Sequence, residues 1–273
     1  MKTRIFGVDG NWYLHRLYYT QFESPDKGRH IAKRFVSIVC KDALAVKANR
    51  ILVAFDGARV FRYKLYDGYK GTREKSTGEG PYDYLGLVIE AFAECGIPVL
   101  QISKYEADDV LCSLGVQHAS EDIEVVIGTK DKDANQYVSD YVSLYDSSAK
   151  PEPKAFTVED LLETTGFSPR QYLTHQLLTG DKIDNIPRLM MPAEVKRNLL
   201  KHGSFKAWKE QDKVFAKFVK ANAEALKLNQ KLVQLVSDIE IDVPKIAWST
   251  DQKLPAQYLA LKAFCNPRSK GLF

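Results

Sequence analysis

Ile5-Phe6-Gly7-Val8-Asp9-Gly10-Asn11 and Ile51-Leu52-Val53-Ala54-Phe55-Asp56-Gly57 read alike: each is a short apolar run that stops at an aspartate followed by glycine. Runs of this length, without polar alternation, suit strands buried on both faces of a parallel sheet. Three more occur at residues 97–102, 123–127 and 141–145. The intervals between them carry helical spacing instead. Ile31, Phe35, Ile38, Val39 and Val46 recur in the first, and Leu85, Val88, Ile89 and Phe92 in the second, with Pro81 at a helix entrance and Gly96 at its exit. A further helix is expected over residues 106–117. Alternating strand and helix predict an α/β fold, a mostly parallel central sheet flanked by helices.

Outward from the sheet, Ser147-Ser148-Ala149-Lys150-Pro151-Glu152-Pro153 has two prolines and no periodicity, which marks it as a boundary. It divides an α/β unit over 1–150 from a helical C-terminal subdomain over 151–273. In the latter, Thr157 before Asp160 forms a capping-box pattern, Pro169 opens the next helix, and a long helical stretch is expected from 205 towards 236.

The 273 residues are 45% hydrophobic and 27% charged, a balance that excludes a largely disordered chain. The net charge of +4 is too mild to name a partner, so the distribution of charge must do so. No apolar run approaches the ~18 residues of a membrane span. The first apolar run is cut short by Asp9, so no secretory signal is expected. Cys40, Cys95, Cys112 and Cys265 form no Cys-x-x-Cys pair and read as reduced thiols of a cytoplasmic protein, not as a disulfide framework or zinc site.

The acids fall at the ends of the predicted strands. Asp9 and Asp56 close the first two, Asp131 and Asp133 follow the fourth, and Glu106, Asp108 and Asp109 open the helix after the third. Ligands of open parallel sheets bind at the carboxyl ends of strands, so these side chains should converge in one crevice. Carboxylates so crowded would raise one another's pKa unless cations neutralised them. Hard oxygen donors point to magnesium or manganese more than zinc. Asp181 and Asp184 add a pair at i, i+3. Such clusters suit two metals ~4 Å apart in phosphodiester cleavage. Each acid alone has a plainer role: Asp-Gly is a common turn, and acids favour helix N-termini. Four groups at one end of the sheet outweigh those separate accounts.

Basic and aromatic residues add a second signal. Residues 62–75 read RYKLYDGYKGTREK, with five basic side chains and three tyrosines. As an exposed arch spanning 61–80, such a segment could track phosphates while tyrosines stack on unpaired bases, or it could be a solvated loop. Lys206, Lys209, Lys213, Lys217 and Lys220 make a stripe at helical spacing that is either a solvated face or a track along a duplex.

VDGN at 8–11, AFDG at 54–57, FR at 61–62, YKGTR at 69–73, YEADDV at 105–110, GTKDKDANQYVS at 128–139 and TGDKIDNIP at 179–187 stand in a telling order. Over roughly residues 5–204 the chain resembles the 5′ nuclease (flap endonuclease) family, which includes the 5′ nuclease domain of bacterial DNA polymerase I and stand-alone phage 5′ exonucleases. With no polymerase attached, a stand-alone phage or bacterial enzyme is expected. The resemblance implies a PIN-like 5′ nuclease fold and a two-metal enzyme, using Mg2+ with Mn2+ as a substitute. Its substrate would be DNA with a 5′ flap or 5′ end, RNA–DNA included, cut near the junction in replication or repair by a monomer. It places Asp9, Asp56, Glu106, Asp108 and Asp109 in a first metal cluster and Asp131, Asp133, Asp181 and Asp184 in a second. Lys70 and Arg73 match basic residues at the base of the arch, where a cation stabilises charge on the scissile phosphate. Arg62, Lys64 and Tyr69 on the arch, with Lys196, Lys206 and Lys213, are expected to bind DNA. Trp12 is expected in the core, with Tyr13 beside it near the terminal base pair.

One departure stands out. The family follows GDxxDNIP with a glycine-rich hairpin that grips duplex phosphates and a potassium ion; here Arg188-Leu189-Met190-Met191-Pro192-Ala193-Glu194 follows instead. The helix–hairpin–helix is therefore expected to be degenerate and its K+ site absent or distorted. Two alternatives remain at this point: a PIN-type ribonuclease, which is normally shorter and lacks the arch, and a non-catalytic DNA junction-binding protein.

Overall fold

The computed structural model describes residues 2–20, 26–72, 78–150, 152–198, 201 and 205–241. Its sheet is built from β1 (Thr3–Asp9), β2 (Arg50–Phe55), β3 (Val99–Gln101), β4 (Ile123–Gly128), β5 (Val142–Tyr145) and β6 (Ala155–Phe156), in the order β3-β2-β1-β4-β5-β6. The first five are parallel, and β6 joins antiparallel at the edge beside β5. The strand order reverses at β1 and β4, so the crevice beyond their carboxyl ends is the topological switch point. Register brings the site together: Val8 lies opposite Val53 on one side and Gly128 on the other, so Asp9, Asp56 and the turn after β4 emerge at one height.

Helices cover both faces. α1 (Gly10–Thr20), α2 (Lys27–Ala45) and, after the short α3 (Phe61–Leu65), α4 (Leu85–Glu94) pack on one face around Phe6, Phe35, Phe55 and Phe92. α5 (Ala107–His118) covers the other with Val110, Leu111 and Leu114. α6 (Val158–Thr165) starts at the expected capping box of Thr157 and Asp160, and α7 (Pro169–Thr179) at Ser168 with Gln171. α8 (Ala193–Asn198), α9 (Phe205–Gln211), α10 (Lys213–Ala221) and α11 (Ala223–Val233) complete the helical part. Trp208 stacks on Phe215 at 3.6 Å between centroids, with Leu178, Val195 and Phe218 around them.

The structure differs from the sequence reading in three places. The Asp9-Gly10 pair does not make a loop turn but starts α1: Asp9 Oδ1 accepts the Trp12 N–H at 3.0 Å and so caps the helix. The long helix expected from 205 is three helices. Asp212 breaks it by accepting the Val214 and Phe215 N–H groups, and Asn222 separates α10 from α11. The expected lysine stripe is accordingly split between α9 and α10. Residues 235–241 then return to α5, where Ser113 Oγ donates to Val236 O and Gln117 Nε2 to Ser237 O, at 3.0 and 2.8 Å. Cys40, Cys95 and Cys112 are buried and form no disulfide among the described residues, while Cys265 lies outside them. Among the described residues no helix is long and apolar enough to cross a membrane.

Candidate active site

A crevice of about 430 Å³ opens at the carboxyl ends of the strands. Asp9, Asp56, Asp108, Asp131, Asp133, Asp181 and Asp184 line it, together with Lys70, Lys130 and Lys132. Local structure aims each acid. Asp56 Oδ1 accepts the Ala107 N–H at the start of α5 at 2.9 Å. The neighbouring Gly57 is required by close approach, since a Cβ there would lie 1.9 Å from Ile102 O. Thr129 bridges two acids: its hydroxyl donates to Asp9 Oδ2 at 2.9 Å and accepts the Asp131 N–H at 3.0 Å. Asp131 in turn caps the 3-10 turn Lys132–Tyr137 by accepting the Asp133 N–H at 2.9 Å. Gln176 of α7 reaches over to donate to Asp133 Oδ1 at 2.5 Å.

Asp181 and Asp184 come from a tight turn after α7. Asp181 and Ile186 exchange backbone hydrogen bonds of 3.1 and 2.7 Å, and Asp181 Oδ1 accepts the Ile183 N–H at 2.7 Å. Gly180, at φ +62°, opens the turn; a Cβ there would meet Ile186 O at 2.3 Å. The same turn carries the base of the arch: Lys70, at φ +53°, donates its N–H to Asp184 O at 2.9 Å, and Asn185 Nδ2 donates to Gly68 O at 2.8 Å. Lys70 is thereby fixed at the crevice, its ammonium paired with Glu106.

Two acids of the expected first cluster stand behind the crevice. Asp109 is 0% exposed and its two oxygens accept from Arg62 at 2.6 and 2.7 Å and from the Glu106 and Val236 N–H groups. Glu106 is buried and accepts from Arg62, Tyr69 and Lys70. The expected DNA contacts of Arg62 and Tyr69 are corrected for the same reason. Arg62 is 1% exposed, and besides the two acids it donates to Leu232 O and Gln234 O at 2.9 and 3.3 Å. Tyr69 is buried with its hydroxyl on Glu106. These five residues form an internal ion network that ties arch, α5 and α11 together. Tyr13 and Trp12 also exchange places with expectation: Tyr13 is in the core, donating to Asp42 Oδ2 at 2.8 Å, and Trp12 lines the crevice.

Crowding sets the electrostatics. Burial pushes Asp9 up to about 7, opposed by the Trp12 and Thr129 hydrogen bonds and reinforced by Asp131 and Asp56. Burial, Asp131 and Asp181 raise Asp133 to about 7, and burial with four neighbouring acids, Asp9 first, holds Asp108 well above the carboxylate range. Burial and Glu106 raise Asp56. Asp181 moves the other way: burial opposes the shift, but Lys132 at 2.7 Å and the Ile183 N–H keep it low. The stability consequence has a definite sign. An acid whose folded value lies above its unfolded one leaves the folded state binding more protons, so stability is full near pH 4 and lost as pH rises to about 7. Metal-free protein is expected to lose on the order of 3 kcal/mol between pH 5 and 8, since each pKa unit is worth about 1.4 kcal/mol. Urea midpoints across that interval check it; a flat or rising profile contradicts it.

The donor chemistry fits hard divalent cations. Asp108 Oδ1 and Asn11 Oδ1 are buried in the crevice wall with no hydrogen-bond partner, an arrangement costly to the protein alone. Among the described residues no three acidic side chains already form a closed cage, because several of the oxygens face Lys132 or backbone N–H groups. Oxygen-rich, lysine-edged and open, the crevice suits ions shared with a phosphate ligand.

Residues 4–166 match the family described as 5′-3′ exonuclease, N-terminal resolvase-like domain. The chain belongs to the 5′-3′ exonuclease family. It is 29% identical over 250 residues to a 5′-3′ exonuclease of Aquifex aeolicus, covering 89% of this chain and 85% of that protein. It is 28% identical over 258 residues to DNA polymerase I of Rhizobium leguminosarum, covering 88% of this chain and 25% of that protein. The chain spans about a quarter of the length of the DNA polymerase I relatives it matches. Among solved structures, a bacteriophage T5 flap endonuclease in a pseudo-enzyme-product complex with DNA and metal ions superposes with a TM-score of 0.66 at 19% identity, covering 96% of this chain and 99% of that one. That likeness establishes the fold.

Within this family member the remaining expected DNA contacts divide by exposure. Lys64, Lys196, Lys206 and Lys213 are exposed; Arg73, expected beside Lys70 at the base of the arch, lies outside the described residues. The segment after Pro187 runs without helix or strand to Ala193, and none of its residues has positive φ. Its anchor is Leu189, buried, with its N–H on Leu178 O at 3.0 Å. Sequence reasoning missed Asn11, Thr129, Lys130, Lys132 and Gln176. Of these, Thr129, Lys130 and Lys132 sit inside the quoted GTKDKDANQYVS stretch and were reachable from it.

Proposed function

We propose that this chain is a metal-dependent 5′ nuclease that hydrolyses DNA phosphodiesters near a junction between a 5′ single strand and a duplex. The observation that carries this reading is the convergence of seven carboxylates with Lys70 in one crevice at the switch point of the sheet. Membership in the 5′-3′ exonuclease family supports it, as does a T5 relative captured with DNA and metal ions. The chain would act as a cytoplasmic monomer in replication or repair, on DNA 5′ flaps and ends or on RNA–DNA.

Asp9, Asp56 and Asp108 on one wall, and Asp131, Asp133, Asp181 and Asp184 on the other, would hold two divalent cations, Mg2+ or Mn2+. When bound, such ions lower the pKa of water and offset charge on attacking and leaving oxygens. Glu106 and Asp109 position the site through Arg62 and Lys70. The Lys70 ammonium, held by Glu106 at the crevice edge, stabilises negative charge on the scissile phosphate. Lys64, Lys196, Lys206 and Lys213 supply phosphate contacts whose strength falls with salt, and Arg73 would join Lys70 in stabilising charge on the scissile phosphate. With Pro192 removing an amide donor and no glycine from 181 to 202, no potassium requirement is expected from the hairpin.

Asp131→Asn tests the reading. Asparagine keeps the side-chain oxygen that caps the 3-10 turn but loses the charge, so turnover should fall at least about a hundredfold while flap-duplex affinity stays within about threefold. Wild-type products should carry 5′-phosphate and 3′-hydroxyl ends. Lost affinity with normal turnover per bound complex would contradict the assignment.

A further inference from the structure

We infer that Gln176, backed by Gln136, is a positioning residue that holds Asp133 in the orientation a divalent cation requires; this rests on the nuclease reading above. The Leu235 N–H donates to Gln136 Oε1 at 3.2 Å, and Gln136 Nε2 donates to Val233 O at 2.9 Å and to Gln176 Oε1 at 3.1 Å. Gln176 Nε2 then donates to Asp133 Oδ1 at 2.5 Å. The backbone end fixes the direction of the whole relay. A backbone N–H only donates and a carbonyl only accepts, so Gln136 must turn its oxygen to Leu235 and its amide hydrogens to Val233 and Gln176. Gln176 is thereby left with its own NH2 on Asp133, whether that acid is charged or protonated.

A tie that only packed α7 against the turn after β4 could end on any polar group; this one ends on an acid that lines the crevice. It also differs in charge from the supports of the other acids. Asp181 is held by Lys132, and Glu106 and Asp109 by Arg62, all cations. A neutral amide fixes Asp133 without offsetting its charge, which stays available to a metal. Gln176 is buried, so its amide has no task in solvent. The anchor is shared with the other wall: Val233 and Leu235 face Gln136, while Leu232 O and Gln234 O accept from Arg62 and the Val236 N–H donates to Asp109. Both acid walls are thus referenced to the chain at the end of α11. Hydrogen-bond partners that orient a metal-ligating side chain are worth about 10–100-fold in metal affinity.

Mn2+ binding without DNA, followed by the EPR signal of the free ion, tests this separately from cleavage. Wild-type protein should fill two sites. Gln176→Leu should weaken one of them by about 10–100-fold and leave the other within about threefold. Gln176→Asn, still polar but one methylene short of Asp133, should shift the same site in the same direction, and it carries the test if the leucine variant does not fold. In flap cleavage both variants should need more Mg2+ for half-maximal rate and approach the wild-type rate at saturating Mg2+, with flap-duplex affinity unchanged. A merely structural loss would instead lower the rate at every Mg2+ concentration. Wild-type Mn2+ affinity at both sites in a folded variant, or a wild type that fills no second site, would overturn the relay. Wild-type cleavage with no shift in the variants sinks the relay alone; a second Mn2+ site that the variants weaken, on a protein that cuts no flap, sinks the nuclease reading alone.

Discussion

Asp108→Asn should lower single-turnover cleavage by about a thousandfold and at the same time stabilise the metal-free protein. Both effects come from one atom group. Asp108 faces Asp9, Asp131, Asp56 and Glu106 in a buried wall, and one of its oxygens has no partner. Removing its charge relieves repulsion that the crevice bears in the metal-free protein, by roughly 1–3 kcal/mol, and supplies an amide that can donate to the neighbouring carboxylates. The same change deletes a hard donor where divalent cations would sit, and electrostatic groups of this kind carry factors of about 10²–10³ or more. Rapid-quench cleavage and urea unfolding in chelator measure the pair. An inactive variant that is also less stable would mean that Asp108 only supports the fold.

Arg62→Ala should cost about 3–5 kcal/mol of stability, the cost of leaving buried acids unpaired. Arg62 is fully enclosed by Glu106, Asp109 and two carbonyls at the end of α11, Leu232 O and Gln234 O. For a domain of this size that corresponds to a drop in Tm of about 10 °C. Arg62→Lys should recover part of it, since an ammonium cannot make the paired contact with Asp109. The folded fraction should bind DNA within a few-fold of wild type. A variant with near-normal Tm and poor DNA binding would return Arg62 to the DNA-facing role that its place in a basic, tyrosine-rich segment suggested.

How far the sequence reaches is clearest at Tyr105–Val110. The acids there were legible as a group because they follow a strand, but not which of them faces the crevice. Neighbours on a helix point about 100° apart. Asp108 therefore turns to the crevice and Asp109 to the interior, beside the buried Ala107 and Val110. Helical geometry could have separated them in advance. Arg62 could not have been sorted that way, because its partners are 44 and 47 residues distant and its enclosing carbonyls 170 and 172. The parallel sheet was readable from its apolar runs, four of the five stopped by an acid or glycine. α1 was not, because Asp-Gly is equally a turn and a helix start, and only the Trp12 N–H on Asp9 decides. The break at Asp212 was available as an N-cap residue within the lysine stripe, but helical spacing alone concealed it.

The central claim is that the acidic crevice cuts phosphodiesters with divalent metal. A 5′-labelled flap duplex incubated with the wild-type chain, in magnesium and in excess chelator, tests it most directly. Cleavage near the junction in magnesium and none in chelator is the predicted result. Binding without cleavage in magnesium, or cleavage that survives exhaustive chelation, would contradict it.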